Sequence, residues 1–305
     1  MIKVSNKLQS SFSADSVLYL SFCLFNAILY TCIKYFSKSM GMKTLMLASY
    51  MNIGMFIMYN IIFAKAIWQE KMYMNIFRFA NLLLSTAMIA GVTKMYCVHY
   101  VEPRDAYIIT HATPLVVMLF ATIFLREKMI LKYWLYGALS FIGVCIYISK
   151  KLDINGFYYG ILFLHVIFKA TTHIAVKKVS KQSTIQVMFY DDLFFSIFAV
   201  FYLSQNGGFD YKMYFNWQIL LIIVVSSLAM FSFAKSYKLA KNGITKLQNL
   251  DFSKIIFTFI LAVLFLDDKI ETNELVGSGV IILSIVLSQV EFKAILKSKT
   301  SKKKS

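Results

Sequence analysis

Apolar residues run through the chain in ten stretches, each about 20 residues long, with short polar segments between them. A helix needs about 20 mostly apolar residues to cross a bilayer, and each stretch is too long for a barrel strand. Backbone amides and carbonyls in hydrocarbon need partners within their own segment, so each stretch is predicted to be a membrane-spanning helix. The predicted spans are 17–36, 44–64, 79–98, 105–125, 131–149, 156–176, 187–204, 216–234, 246–266 and 273–290.

The composition excludes a water-soluble enzyme. Of the 305 residues, 59% are hydrophobic and 15% are charged, whereas a soluble domain has about 45–50% and about 25%. The predicted spans leave only short loops and two tails, with no room for a separate soluble domain. We therefore expect a multi-pass protein of the bacterial inner membrane, with the lipid bilayer as a partner.

The distribution of positive charge predicts the orientation. The formal net charge is +17, and 21 of the 32 Lys and Arg residues fall on the side of the N-terminus, against nine on the other side. Positively charged loops are retained in the cytoplasm, so both termini are predicted to be cytoplasmic. Because the charge lies between apolar spans and not on one solvated face, we expect no nucleic-acid partner.

The chain also contains an internal repeat with an offset of about 140 residues. Glu127 is followed ten residues later by Gly137, and Asp267 is followed ten residues later by Gly277 in a similar apolar context. Five predicted spans separate equivalent points, and because five is odd the second half must be inverted in the membrane. Inverted repeats are typical of secondary transporters.

Three segments carry a resemblance to a known family. Residues 124–128, Phe-Leu-Arg-Glu-Lys, with the glycine-rich segment 137–144, resemble the end of an EamA repeat of the drug/metabolite transporter superfamily. Residues 265–283 resemble the end of the second repeat, and 96–114 resemble the passage between its third and fourth helices. Within the family, the sequence resembles the S-adenosylmethionine importers of rickettsiae.

The resemblance implies an all-α fold of ten transmembrane helices in two inverted five-helix repeats. The predicted divisions are an N-terminal tail at 1–16, a first repeat at 17–149, a second at 156–290 and a basic cytoplasmic tail at 291–305. The chain departs from the family pattern at Lys254, where the second repeat commonly has a proline. Since lysine keeps the backbone amide that proline lacks, the ninth helix is predicted to continue unbroken through this position.

Ionisable residues within the spans are candidate functional groups because they are costly in hydrocarbon. His165, Lys169 and His173 are spaced four residues apart and share one face of the sixth span. Lys169 is predicted to lie about 10 Å from the cytoplasmic end of the helix. The alternative is that Lys169 and His173 extend along the helix to the headgroups.

The ninth span brings Asn249, Asp251 and Lys254 into about two turns. Lys254 is predicted to be about 12 Å deep, close to the depth of Lys169, so the two lysines could converge on one anionic group. The alternative is an internal ion pair between Asp251 and Lys254, which are three residues apart.

Other polar residues within the predicted spans can each have either a functional or a structural role. His111 aligns with Asp251 under the repeat and is either a proton relay or a packing residue. Asp191 and Asp192 either pair with Lys169 or lie at the membrane interface. Asparagines such as Asn26 and Asn52 are either ligands or interhelical hydrogen-bond donors.

These patterns predict a secondary transporter for a small polar metabolite, working by alternating access, and not an enzyme. A membrane-embedded enzyme or a channel is the alternative, although neither His-Glu-x-x-His nor Gly-x-Ser-x-Gly occurs in the chain. We expect a small-molecule substrate and no cofactor, metal or catalytic residue, and leave a homodimer open. The candidate substrate-binding residues are Lys169, Lys254, His165, Asp251, His111 and Asn249.

Overall fold

The computed structural model describes residues 13–98, 109–128, 130–148, 156–181, 183–240, 243–266 and 272–289. Within these ranges the regular structure is entirely helical, which confirms the all-α class. Short 3₁₀ turns cover Met72–Asn75, Leu83–Ser85 and Tyr211–Phe215. The α-helices are α1 Ala14–Ser39, α2 Thr44–Ile62, α3 Ala64–Gln69, α4 Phe79–Leu82, α5 Thr86–Val98, α6 Thr113–Phe124, α7 Leu131–Ile148, α8 Gly156–Ser180, α9 Thr184–Gln205, α10 Trp217–Leu239, α11 Thr245–Asp251, α12 Ser253–Leu266 and α13 Thr272–Gln289.

Most of these helices are long and apolar enough to cross a membrane. Seven helical stretches among the described residues meet that requirement, with α11 and α12 forming one of them. Three shorter apolar helices, over Phe79–Thr93, Ile109–Phe124 and Leu131–Tyr147, lie where the remaining spans are predicted. Large apolar side chains such as Phe201 and Leu264 are exposed on the outside of the bundle, as a lipid-facing surface requires. The count of ten spans and the orientation of the termini stay predictions.

Helix packing follows a two-fold pattern that exchanges the two halves of the chain. Helices α2 and α9 pack together, as do α7 and α13, and each of these pairs joins helices at equivalent positions of the two repeats. Helix α1 packs on α10 and α12, and its counterpart α8 packs on α5 and α6. Each of these interfaces therefore either maps onto itself or has a counterpart in the other half.

Helices α7 and α13, which are equivalent in the two repeats, run antiparallel where they meet. Asn273 at the start of α13 donates to the carbonyl of Tyr147 at the end of α7, at 3.1 Å. Ser284, further along α13, donates to the carbonyl of Tyr136 near the start of α7, at 2.5 Å. Between these bonds the backbones approach closely, since a Cβ on Gly277 would lie 2.6 Å from the Tyr147 nitrogen. Antiparallel packing of equivalent helices is the geometry that an inverted repeat produces.

The third predicted span is not one continuous helix. It is divided into α4, the 3₁₀ turn Leu83–Ser85 and α5. The Ser85 hydroxyl donates to the Leu82 carbonyl at 2.5 Å, and the Thr86 hydroxyl donates to the Leu83 carbonyl at 2.6 Å. Hydroxyls that bond backbone carbonyls three residues back compete with the regular α-helical pattern, which tightens this turn.

The prediction of an unbroken ninth helix at Lys254 is also wrong. The regular α-helix is interrupted at Phe252, between α11 and α12, where the Ser253 hydroxyl donates to the Leu250 carbonyl at 2.6 Å. At the equivalent point of the first repeat, Thr113 donates to the Thr110 carbonyl, also at 2.6 Å. Both residue pairs are related by the 140-residue offset. The second repeat therefore has the same interruption and the same hydroxyl–carbonyl bond as the first, although it has no proline equivalent to Pro114.

A carboxylate joins the two repeats at one end of the bundle. Glu127, just after α6, accepts hydrogen bonds from the Ile244 amide at 2.8 Å and from the Thr245 hydroxyl at 2.8 Å. Thr245 begins α11, so the negative charge lies at a helix N-terminus, where unpaired amides favour an anion. Gly243 has φ +96°, and a side chain there would collide with this carboxylate. The predicted repeat motif thus has a structural role that its sequence did not reveal.

Candidate functional site

A polar cavity lies among α1, α2, α8, α9 and α10, which come from both repeats. Its volume is about 140 Å³, and it is partly open to the exterior. Asn26, Asn52 and Ser226 each lie near the middle of their helix, so the cavity is at about half the depth of the bundle. The polar lining residues are Asn26, Asn52, Lys169, Thr172, Asp191, Asp192 and Ser226.

The charged residues of the cavity come from two neighbouring helices. Lys169 is on α8, and Asp191 and Asp192 follow each other on α9. Asp192 is 2% exposed, and its Oδ2 atom has no hydrogen-bond partner among the described residues. Asp192 is therefore buried beside the cavity, and the alternative that one of these carboxylates lies at the membrane interface stays a prediction.

Lys254 does not share this cavity with Lys169. Its ammonium lies 2.5 Å from Oδ1 of Asp251, and the Tyr19 hydroxyl donates to the same oxygen at 2.8 Å. The ammonium also lies 4.4 Å from the centre of the Phe22 ring, and that ring lines the cavity. Of the two interpretations of this pair, the structure shows the internal ion pair, which lies against the Phe22 ring.

The two histidines of α8 are held in helix contacts. Nδ1 of His165 donates to the Ala90 carbonyl at 2.6 Å, which joins α8 to α5. Nδ1 of His173 is 2.6 Å from the Tyr237 hydroxyl, and the imidazole packs edge-on against Phe233. His173 is 3% exposed, so it does not extend to the headgroups. Of the three residues predicted to share one face, Lys169 is the one that lines the cavity.

Asn249 and His111 are also outside the cavity lining. Asn249 is fully buried, and its amide donates to the Tyr133 carbonyl at 3.2 Å, which joins α11 to α7. His111 is partly buried in the short helical turn that precedes α6. Neither residue is among the described residues that line the cavity with Lys169.

An aromatic layer with buried hydrogen bonds lies on one side of the cavity. The rings of Phe22 and Phe233, both lining residues, have centroids 4.6 Å apart. Tyr237 packs against Phe233, and its hydroxyl accepts from Gln248 at 2.8 Å. Sequence reasoning did not single out Tyr237, because a tyrosine in an apolar span gives no signal of which helix its hydroxyl meets.

Comparisons with known proteins agree with this architecture. One solved crystal structure is similar to this chain, with a TM-score of 0.72 at 11% sequence identity. The match covers 90% of this chain and 96% of the other, and at this identity it shows the fold alone. No curated protein sequence matches the chain.

The fold and cavity define a membrane protein built from two helical repeats. The model of the EamA-like transporter family matches residues 16–149 and 156–289, which together make up most of the chain. The chain belongs to the EamA-like transporter family, and the resemblance found in the sequence is confirmed at that level. Members of this family are membrane transporters of the drug/metabolite transporter superfamily.

Proposed function

We propose that this protein is a secondary transporter that moves a small polar metabolite across the bacterial inner membrane by alternating access. The observation that carries the proposal is the polar cavity at half depth, which is lined by helices of both repeats. Transporters built from inverted repeats bind their substrates near the bilayer midplane, at the interface between the repeats. Rocking of one repeat against the other would then open the cavity to each side in turn.

Lys169 is the residue that we place at the centre of substrate binding. Among the described residues, no hydrogen bond or ion pair within 4 Å holds its ammonium, whereas that of Lys254 is held by Asp251. A lysine that lines a buried cavity binds a carboxylate or phosphate as a point charge. The candidate substrates are amino acids, zwitterions such as S-adenosylmethionine, and organic anions.

We further propose that both termini and the loop 177–186 are cytoplasmic. The support is the excess of Lys and Arg on that side, which is counted over short loops as the positive-inside rule requires. Reporter domains fused after Lys181 and after the C-terminus are expected to be active only when the reporter functions in the cytoplasm. Activity of a periplasmic reporter at either position would reverse the proposed orientation.

Counterflow in proteoliposomes tests the transport proposal. Vesicles containing the purified full chain are loaded with one unlabelled metabolite and diluted into the same labelled metabolite. A carrier is expected to accumulate label above the equilibrium level, because efflux of the unlabelled compound drives exchange. A channel gives only equilibration, and an enzyme changes the labelled compound chemically. Equilibration without accumulation, or a modified product, would contradict the proposal.

A further inference from the structure

Asp192 is a buried carboxylate that the described contacts leave unsatisfied. It is 2% exposed, it lines the central cavity, and its Oδ2 atom has no hydrogen-bond partner among the described residues. A buried ionised group without a partner costs several kcal/mol, so such groups are normally paired or hydrogen-bonded. A donor that enters the cavity would satisfy this carboxylate.

The charges around the cavity do not balance. The ionisable residues among its described lining are Lys169, Asp191 and Asp192, so one positive group faces two negative groups. The nearby pair of Lys254 and Asp251 closes on itself at 2.5 Å and adds no net charge. When all three lining groups are ionised, the cavity has one uncompensated negative charge, which a ligand with one net positive charge would neutralise.

We infer that Asp192 binds a cationic ammonium group of the transported metabolite, and that this metabolite carries one net positive charge. The inference rests on the proposed transport function and narrows its substrate class. An ammonium supplies three N–H donors, which suit a carboxylate oxygen that lacks a donor. A carboxylate on the same metabolite binds Lys169, and the additional positive charge is matched by Asp191. Organic anions are excluded from the class, because they would add negative charge beside two carboxylates.

The test compares probes of different charge in the same counterflow assay. L-lysine and S-adenosylmethionine carry one net positive charge, L-methionine is a neutral zwitterion, and succinate is an anion. We expect accumulation of at least one cationic probe and none of succinate.

Asp192→Asn is expected to weaken the apparent affinity for that probe by about 10- to 100-fold, the range for a hydrogen bond to a charged group. Asp210→Asn, which removes an exposed carboxylate from a loop outside the cavity, is expected to have no effect.

A second measurement covers the case in which Asp192→Asn does not fold. Dicyclohexylcarbodiimide modifies buried carboxyl groups, so the modification of Asp192 in the wild-type protein can be followed by mass spectrometry. The cationic probe is expected to protect Asp192, and succinate is not.

Each contrary result separates the inference from the transport proposal. Accumulation of succinate or methionine alone would overturn the substrate class and leave transport intact. Unchanged affinity in Asp192→Asn, or modification of Asp192 that the cationic probe does not slow, would overturn the role of this residue. The inference also fails if none of the four probes accumulates. The transport proposal fails only if a wider panel of metabolites likewise gives no counterflow.

Discussion

Replacement of Lys169 by methionine is expected to abolish metabolite counterflow, with uptake reduced at least about 100-fold. Methionine keeps an unbranched apolar stem but removes the ammonium that lines the cavity beside Asp191 and Asp192. Charge-assisted hydrogen bonds are about twice as strong as neutral ones, and they gain strength in a low-dielectric site. Lys169→Arg retains the positive charge and is expected to keep part of the activity. Initial rates in proteoliposomes measure the effect.

Two comparisons distinguish substrate binding from simple charge compensation. Lys181→Gln removes a positive charge from an exposed position just after the same helix and should leave uptake unchanged. The double variant Lys169→Met with Asp191→Asn keeps the charge balance of the cavity. If Lys169 contacts the substrate, this double variant folds but stays inactive. Recovery of uptake in the double variant would show that Lys169 only neutralises Asp191.

The sequence distinguished poorly between Lys169 and Lys254. Both lysines are predicted at similar depth on helices of the second repeat, yet Lys169 lines the cavity and Lys254 is in an ion pair. The distinguishing signal was present in the spacing. Lys254 has Asp251 three residues away on its own helix, whereas Lys169 has no acidic residue within four positions on either side. A lysine without a local carboxylate must find its partner on another helix or in a ligand.

The cavity residues from other helices were harder to predict. Asn26, Asn52 and Asp192 each allowed two interpretations, because hydrophobic periodicity shows that a residue is in a span but not which helix it faces. The helix pairing that brings them together, α1 with α10 and α2 with α9, depends on the three-dimensional packing of the repeats. The repeat offset predicted which positions are equivalent but not which equivalent helices touch.

The fold was more predictable than the site, except where side chains bond the backbone. Long apolar stretches predicted the positions of the helices, since burial of backbone groups in lipid leaves few other structures. The breaks near Thr86 and Ser253 were missed, because apolar spans were treated as uniform helices. A hydroxyl at Ser253 that matches Thr113 across the repeat offset was the available signal.

The ion pair of Asp251 and Lys254 leads to the second large expected effect, which is on stability. Lys254→Gln is expected to lower the free energy of unfolding by about 1–3 kcal/mol, because it leaves a carboxylate that is only 13% exposed without its counter-charge. The Tyr19 hydroxyl, at 2.8 Å, would be the remaining donor to that oxygen among the described residues. Thermal unfolding of the purified protein in detergent measures the change. Lys246→Gln is the matched control, since Lys246 makes only a 3.5 Å contact with exposed Ser13.

Combining Lys254→Gln with Asp251→Asn is expected to recover most of the lost stability, since the double variant buries two neutral amides in place of one unpaired charge. A coupling energy of at least about 1 kcal/mol in the double-mutant cycle is expected for residues in direct contact. Because Lys254 is not among the described residues that line the cavity, the double variant should also retain counterflow. A stable double variant that has lost uptake would instead place Lys254 in contact with the substrate, in a state of the transport cycle in which the ion pair opens.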